Sequence, residues 1–302
     1  IIYSTAFGVS ANVLYNFSTS TMHTPINLCY AENNIVYGIA SLGGNNGVGG
    51  VFSYNTTTEV LTEIAHFDSS TTGRTSVNGN IGFGKAVKLG GYLYVITQTG
   101  STNNEGAILA IDVVNSSPII VYPFGGGIVN TGLQTFVSAT DGYVYEFTDR
   151  SLRKIDSTTN TSSLVATTTT INTGAEFGQP IIEFNGKLYW TIRAIPPNGA
   201  NYKIYEYDLA TGLTVDLVSV SGQISLDLFE WNNNLYILTL GGVFLVNVAG
   251  QSVSSYISFS NVIRGQGAID GDMLYYRDIS SDTYYVIDMS AQNVISKSLN
   301  FI

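Results

Sequence analysis

The acidic side chains are the residues of this sequence best suited to chemistry. Two Asp or Glu carboxyls flanking a sugar linkage can hydrolyse it, one as the acid and the other as base or nucleophile. Six of the 22 acids, however, stand at polar turns, where an Asp side chain accepts a main-chain amide two residues further on. These six are Asp112, Asp141, Asp156, Asp208, Asp270 and Asp288. The other acids form no pair that is visible along the chain. Acids that are far apart in the sequence can still converge in the fold.

Other reactive groups are scarce. His23 and His66 are the only histidines, and neither stands at zinc-binding spacing from a second His or Cys. Cys29 is the single cysteine, so the chain forms no internal disulfide. The glycine-rich segment 43–50 (GGNNGVGG) lacks the Lys and the helix that follow a phosphate-binding loop, which favours a wide hairpin. We therefore predict no catalytic residue, no metal and no cofactor.

The formal net charge of −10 excludes several kinds of partner. Binding a phosphate backbone needs clustered Lys and Arg, so nucleic acid is excluded, and an anionic lipid surface is disfavoured for the same reason. Only 11% of the residues are charged, where about 25% is usual for a soluble domain. Uncharged polar residues and Tyr must therefore form most of the polar surface. No run approaches the roughly 18 apolar residues of a membrane helix, so we predict no direct membrane insertion.

Six copies of a short motif divide the chain. Each copy is a polar turn followed by apolar residues and a tyrosine, as in NGKLY (185–189), and the sixth, DGDMLY (270–275), carries one extra residue. Asn-Gly, Asp-Gly and Gly-Gly supply the positive φ angles that a two-residue hairpin requires. The repeated tyrosines are Tyr37, Tyr94, Tyr145, Tyr189, Tyr236 and Tyr275. Their spacing averages about 48 residues, which is close to the period of a propeller or kelch blade.

A second marker follows each tyrosine: an apolar residue, then Asn or Asp, then small polar residues. The Asn or Asp side chain is predicted to start the turn between a third and a fourth strand. These residues are Asn55, Asp112, Asp156, Asp208, Asn247 and Asp288. A third marker is an apolar strand that ends in an aromatic residue, as at Phe17, Phe67 and Phe124. Each unit is therefore predicted to contain four short strands, A to D. No segment keeps the period of an amphipathic helix.

The sequence thus predicts an all-β fold, a β-propeller of four-stranded antiparallel blades. Seven blades are preferred because seven D-strand ends accompany six A–B hairpins, and six blades are the alternative. The predicted blades cover residues 27–67, 82–124, 134–166, 178–220, 223–259 and 265–302, after a partial blade of C and D strands at 1–17. One domain would span 1–302, and sequence beyond these ends, in a larger protein, would supply the missing A and B strands.

Two of these units resemble a known family. Residues 37–58 (YGIASLGGNNGVGGVFSYNTTT) and 94–115 (YVITQTGSTNNEGAILAIDVVN) are similar to the GloVer-type tandem repeats of bacterial and archaeal surface proteins. The later blades keep the tyrosine hairpin and the Asp turn but lose the glycine-rich loop. The resemblance implies a β-propeller and carries over no catalytic residue. The composition is also similar to that of surface proteins of thermophilic archaea and their viruses.

Propellers place recognition on the loops that vary between blades. The candidate ligand-facing residues on such loops are Arg74, Asn103, Asn104, Arg193, Asn198 and Asn201. We predict a non-enzymatic recognition, adhesion or structural module of a larger protein exposed on a cell envelope or virion. Its partner would be a surface glycan, a protein receptor or neighbouring subunits. The alternative is a carbohydrate-active enzyme, a glycoside hydrolase or lyase, with paired carboxylates at the channel mouth.

Overall fold

Short strands and tight turns make up nearly all of the chain that can be described. The computed structural model describes residues 2–3, 12–13, 15, 17, 22–68, 86–97, 106–124, 136–148, 151–167, 181–194, 201–221, 225–239, 241–258, 267–278 and 283–297. No helix in these ranges is long and apolar enough to span a bilayer.

The first strands in chain order are β1 (Ile2–Tyr3) and β2 (Asn12–Val13), which pair antiparallel. Three four-stranded sheets follow. The first blade contains β3 (His23–Glu32), β4 (Ile35–Leu42), β5 (Gly50–Asn55) and β6 (Val60–His66). The second contains β7 (Val87–Leu89), β8 (Tyr92–Thr97), β9 (Ala107–Asp112) and β10 (Pro118–Pro123). The third contains β11 (Phe136–Ser138), β12 (Val144–Thr148), β13 (Ser151–Asp156) and β14 (Thr161–Thr167).

Three more sheets of the same kind complete the described strands. The fourth blade contains β15 (Ile181–Phe184), β16 (Lys187–Ala194), β17 (Asn201–Asp208) and β18 (Thr214–Ser221). The fifth contains β19 (Ser225–Trp231), β20 (Asn234–Thr239), β21 (Gly242–Asn247) and β22 (Ser252–Ser258). The sixth contains β23 (Gly267–Asp270), β24 (Met273–Asp278), β25 (Thr283–Asp288) and β26 (Asn293–Lys297).

The fold is all-β, with six four-stranded antiparallel blades in a propeller arrangement. The predicted fold class is therefore confirmed. Six is the number of complete blades among the described residues, which is the alternative count, while β1 and β2 lie in the segment where a partial blade is predicted. The predicted domain limits stay a prediction.

The chain divides into two compact units, one of residues 1–130 with 155–162 and the other of 131–154 with 163–302. In the first unit, apolar side chains of the first and second blades share one core. In the second unit, three apolar clusters fill the seams between the third and fourth, fourth and fifth, and fifth and sixth blades. Within each unit the first strands of successive blades are neighbours, and the fourth strand is the opposite, outer edge of each sheet.

In five of the six blades the A–B hairpin has a two-residue turn, as predicted. The third blade differs, because Ser138 pairs with Val144 and the chain reverses through residues 139–143, with a positive φ at Gly142 and not at Asp141. In the fourth blade Phe184 pairs with Lys187, leaving Asn185 (φ 52°) and Gly186 (φ 72°) as a two-residue turn with both φ angles positive. The sixth blade corrects one prediction, because Asp270 pairs with Met273 and is the last residue of its strand. The turn is therefore Gly271–Asp272, and the motif has no extra residue before its tyrosine.

Five of the six repeat tyrosines are buried at the blade seams. Tyr94 and Tyr145 are 0% and 1% exposed, whereas Tyr275 is half-buried and its neighbour Tyr276 is the buried ring of the sixth blade. The Tyr94 hydroxyl donates a hydrogen bond of 2.9 Å to Oδ1 of Asn160, which lies in the β13–β14 turn of the same unit. Tyr94 therefore joins the second blade to a polar turn residue of the third.

The Asn and Asp residues that end the third strand of each blade accept hydrogen bonds from the turn that follows them. Oδ1 of Asn55 accepts the amides of Thr57 and Thr58 at 2.9 Å, and Oδ1 of Asp112 accepts those of Val114 and Asn115 at the same distance. Asp156, Asp208, Asn247 and Asp288 accept equivalent amides. The side chain thus fixes the turn that reverses the chain into the outer strand.

These turns predict an acid-sensitive contribution to stability. Hydrogen bonds from the amide and side chain of Asn115 lower the pKa of Asp112 below its ordinary 3.8, so its contribution is present above that pH and is lost as the pH falls through the lowered pKa. Asp112→Asn is expected to flatten the acid limb of the stability curve, while Asn55→Asp at the equivalent position should steepen it. Urea unfolding midpoints at several acidic pH values measure both effects, and parallel acid limbs in both variants and the wild type would contradict the prediction.

Candidate functional site

The loop residues predicted to face a ligand are mostly outside the described part of the chain. Arg74, Asn103, Asn104 and Asn198 all lie there. The backbones of Arg193 and Asn201 are described: Arg193 pairs with Tyr202, and Ala194 pairs with Asn201, at the ends of β16 and β17. The two residues therefore flank loop 195–200, and the recognition role of all six stays a prediction.

The glycine-rich loop of the first blade is a wide hairpin between β4 and β5. The amide of Asn45 donates to Nδ1 of His66 at 3.2 Å, and Nδ2 of Asn46 donates to the carbonyl of Phe67 at 2.9 Å. Gly49 has a φ of 81°, and a Cβ there would lie 2.0 Å from the carbonyl oxygen of Ala40. Glycine is thus required by close backbone approach, and this loop folds onto its own blade.

A cavity of about 470 Å³ lies at the seam between the fourth and fifth blades, inside the second unit. Its walls come from the β15–β16 hairpin, from β17 and β18, and from the turn that follows β21. The lining residues are Phe184, Asn185, Lys187, Tyr189, Glu206, Val215, Leu217, Val248, Ala249 and Gln251. A mostly apolar wall with a few placed polar groups, at this volume, is typical of small-molecule sites.

A charged cluster forms one wall of this cavity. Nζ of Lys187 contacts Oε1 of Glu206 and lies 3.8 Å from Oδ2 of Asp208. The Tyr189 hydroxyl donates to the other oxygen of Glu206, Oε2, at 2.8 Å. Glu206 is only 7% exposed, so its charge is held almost out of water by the ammonium and the phenol.

Strand register brings these side chains together. Tyr189 pairs with Glu206 and Lys187 with Asp208 across the β16–β17 ladder, and residues two apart on a strand share a face. In the other blades with a defined register, the residue opposite the repeat tyrosine is neutral: Ser53, Ala110, Leu245 and Val286. The fourth blade therefore departs from this pattern by a buried carboxylate, at the position that borders the cavity. Departures of this kind are expected at functional sites.

The pKa values of both partners of Glu206 are raised. Burial, followed by the hydrogen bond to Glu206, raises the pKa of Tyr189, so its hydroxyl stays protonated and donates. The hydrogen bond to Glu206 raises the pKa of Lys187, which keeps the ammonium charged. Both carboxylate oxygens of Glu206 already have a donor. The cluster can therefore orient a bound molecule, but Glu206 is not a free acid or base for it.

A related cluster occurs in the third blade. The Tyr145 hydroxyl donates to Oδ2 of Asp141 at 2.8 Å, and Nζ of Lys154 lies 3.2 Å from the same oxygen. The ammonium also lies 3.5 Å from the ring centre of Tyr143. Lysine, carboxylate and repeat tyrosine thus recur at two blades, although this second set does not line the cavity. Among the described residues, no group of three or more His, Cys, Asp or Glu side chains could hold a metal ion.

Sequence reasoning missed Lys187 and Glu206. The available signal was a glutamate inside KIYEYD, a strand otherwise rich in apolar and aromatic residues, together with a lysine that follows the tight turn of the preceding hairpin. Recognising the pair requires the register of β16 against β17, which the tyrosine and aspartate markers together could have supplied.

Removing the cation tests how far Glu206 depends on it. Lys187→Met is expected to lower the free energy of unfolding by about 1–3 kcal/mol at neutral pH, because a buried carboxylate loses one of two donors. The matched control is Lys203→Met, which removes the more exposed Lys203–Asp216 pair of the same blade and should cost below about 1 kcal/mol. Urea unfolding monitored by circular dichroism measures both. Equal losses in the two variants would show that the Lys187–Glu206 pair is an ordinary surface ion pair.

No family model matches this sequence, and no curated protein matches it either. Solved structures do match. One is the extracellular domain of a protein described as a one component system from B. thetaiotaomicron, with a TM-score of 0.61, 10% identity and 97% of this chain covered. The chain spans 42% of the length of that structure and 33% of a second one, the extracellular domain of a hybrid two component system from the same organism.

Two further matches cover most of both chains. A nidogen/laminin complex has a TM-score of 0.51 and 13% identity, covering 89% of this chain and 91% of the other. An ulvan lyase bound to a glucuronate–rhamnose sulfate saccharide has a TM-score of 0.59 and 12% identity, covering 93% and 85%. At these identities the likeness concerns the fold alone: the chain has the architecture of propeller proteins.

Proposed function

We propose that this chain is a non-enzymatic recognition or structural module of a larger, surface-exposed protein, such as a cell-envelope or virion attachment protein. The observation that carries the proposal is the cavity at the seam of the fourth and fifth blades. Its charged groups are paired with one another, so it offers shape and hydrogen bonds rather than a free catalytic acid and base.

Several properties support a role outside the cell. The formal net charge of −10 and the scarcity of lysine and arginine disfavour partners that carry many phosphates. The extracellular domains from B. thetaiotaomicron share the fold and are longer than this chain, which supports a module within a larger protein. The partner would be a surface glycan, a protein receptor or neighbouring subunits of an assembly.

A carbohydrate-active enzyme is the second candidate, and two observations favour it. The ulvan lyase matches this chain over most of both lengths. Glu206, which lines the cavity, and Asp208 also stand two residues apart on one strand face. Against it, Lys187 contacts both of these carboxylates, and Tyr189 occupies the second oxygen of Glu206. These contacts count against glycoside hydrolysis, which requires two carboxyls that are free to exchange protons or attack the sugar. They do not count against a lyase, which needs no such pair, and the activity assay decides that case.

Binding and turnover measured side by side separate the two candidates. The purified chain is screened on a glycan array and against envelope protein fractions, and its activity is assayed on acidic and neutral polysaccharides by reducing-end release. Saturable binding without release of reducing ends is the expected result. Release that disappears in Glu206→Gln would establish the enzyme instead, and neither binding nor release would leave the recognition role without support.

A further inference from the structure

We infer that the cavity between the fourth and fifth blades binds a neutral carbohydrate, as one or two sugar rings of a longer glycan. This inference rests on the proposed recognition function and names its site and ligand class. The cavity volume of about 470 Å³ falls in the range of small-molecule sites, roughly 300–1,000 Å³. It is therefore suited to a compact ligand.

The apolar wall suits the carbon–hydrogen face of a sugar ring. Leu217 and Phe184 are buried residues of the cavity wall, and Val215 lies 43% exposed on the outer strand β18. Exposed apolar side chains on an edge strand lose contact with water when a ring packs on them. These residues supply contact area without specifying charge.

The polar groups at the rim suit hydroxyls. Asn185 and Gln251 lie in two tight turns, with φ angles of 52° and 48°, on the two blades that meet at the seam. Each primary amide carries two donors and an acceptor oxygen, which matches a hydroxyl that both donates and accepts. The Lys187 ammonium has three donors and two carboxylate partners, so a donor is left for the ligand. The site thus offers hydrogen bonds of both senses around an apolar wall.

Charge decides against ionic ligands. Lys187 is the one cation that lines the described cavity, and it is paired with Glu206, so an anionic sugar finds no net positive charge. A cationic ligand finds no net negative charge in the wall either, because Lys187 neutralises Glu206, the one carboxylate among the described residues that line the cavity. A neutral, hydroxylated molecule is what remains.

Ligand-observed NMR with a panel of sugars tests the inference. The panel contains neutral probes (methyl mannoside, methyl galactoside, lactose and N-acetylglucosamine) and glucuronic acid as the anionic one. At least one neutral sugar is expected to bind, with a dissociation constant on the order of 1 mM for so small a ligand. Glucuronic acid should bind more weakly. The inference is overturned if no neutral sugar shows saturable binding, or if glucuronic acid binds more tightly than the neutral sugars.

Matched substitutions locate the binding site. Ala249→Arg places a long side chain at the cavity mouth, whereas Ala210→Arg adds the same charge at the equivalent turn position of the fourth blade, outside the cavity. Asn185→Gly removes one amide and keeps the positive φ, with Asn232→Gly in the fifth-blade turn as its control. We expect binding to fall at least tenfold in Ala249→Arg, about 2- to 10-fold in Asn185→Gly, and not in the controls.

The outcomes separate this site from the wider function. If a neutral sugar binds equally well to Ala249→Arg, the cavity is not the site, although the chain remains a recognition module. If the glycan array is silent while an extended peptide shifts resonances along β18, the ligand class is wrong and edge-strand pairing replaces it. If neither sugars nor envelope proteins bind, the proposed function fails together with the inference.

Discussion

Above pH 10 the protein is expected to lose stability steeply and to unfold by about pH 12, because buried tyrosines resist deprotonation in the folded state. Burial raises the pKa of Tyr94 to about 12 and also raises those of Tyr145 and Tyr189, whose hydroxyls donate to Asp141 and Glu206. An unfolded tyrosine titrates near 10.0. Between these two pKa values the native state holds more protons than the unfolded state, so stability is present below pH 10 and falls as the pH rises.

The size of this effect follows from linkage. Each tyrosine that stays protonated lowers the free energy of unfolding by up to about 1.4 kcal/mol per pH unit, and three of them by up to about 4 kcal/mol per unit. A domain is stable by only about 5–15 kcal/mol. The raised pKa values of Lys187 and Lys203 act in the same direction, because their ion-pair contributions are present below 10.5 and are lost as the pH rises through the raised pKa.

Tyrosinate absorbance and far-UV circular dichroism, followed together against pH, measure this transition. The expected curve has two phases, with the exposed tyrosines titrating first and the buried ones only as the dichroism is lost. Tyr145→Phe removes one titrating hydroxyl and should lower the pH dependence of urea unfolding by about one proton. A single reversible titration of all 20 tyrosines near pH 10, with the dichroism retained, would refute the explanation.

Trp190→Ala is expected to lower the free energy of unfolding by about 3–5 kcal/mol. The indole is 0% exposed and stacks between Phe147 and Tyr205, with ring centres 5.4 and 5.6 Å away. Its ring therefore fills the seam between the third and fourth blades. Truncation leaves a cavity lined by aromatic rings that cannot collapse without moving two sheets.

Two further variants show whether packing is the cause. Trp190→Phe keeps a stacked ring, leaves a smaller cavity and removes an Nε1–H group that has no hydrogen-bond partner among the described atoms, so it should cost about 1–2 kcal/mol, less than Trp190→Ala. Leu213→Ala removes an apolar side chain that is 66% exposed and should change stability by at most about 0.5 kcal/mol. Urea unfolding measures all three variants. A loss in Trp190→Phe as large as in Trp190→Ala would assign the effect to the indole N–H instead.

The fold class could be predicted because its signals are local. A turn such as Asn185–Gly186 sets the hairpin, and an Asp such as Asp112 sets the next reversal through bonds two and three residues away. The same locality explains the error at Asp270: Asp-Gly and Gly-Asp both suit a tight turn, and only the pairing of Asp270 with Met273 selects the second. The loop residues proposed for recognition stay predictions.

The sequence by itself determined the strands, the hairpins and the repeated four-stranded unit, since alternation and turn chemistry act over a few neighbouring residues. Tertiary structure alone decided which groups meet at the seams. Tyr94 bonds to Asn160, 66 positions away, while Tyr189 bonds to Glu206 within its own blade, although both tyrosines occupy the same place in the repeat. The cavity likewise joins segments 184–189, 215–217 and 248–251, because packing one sheet on the next brings together side chains that no local pattern relates.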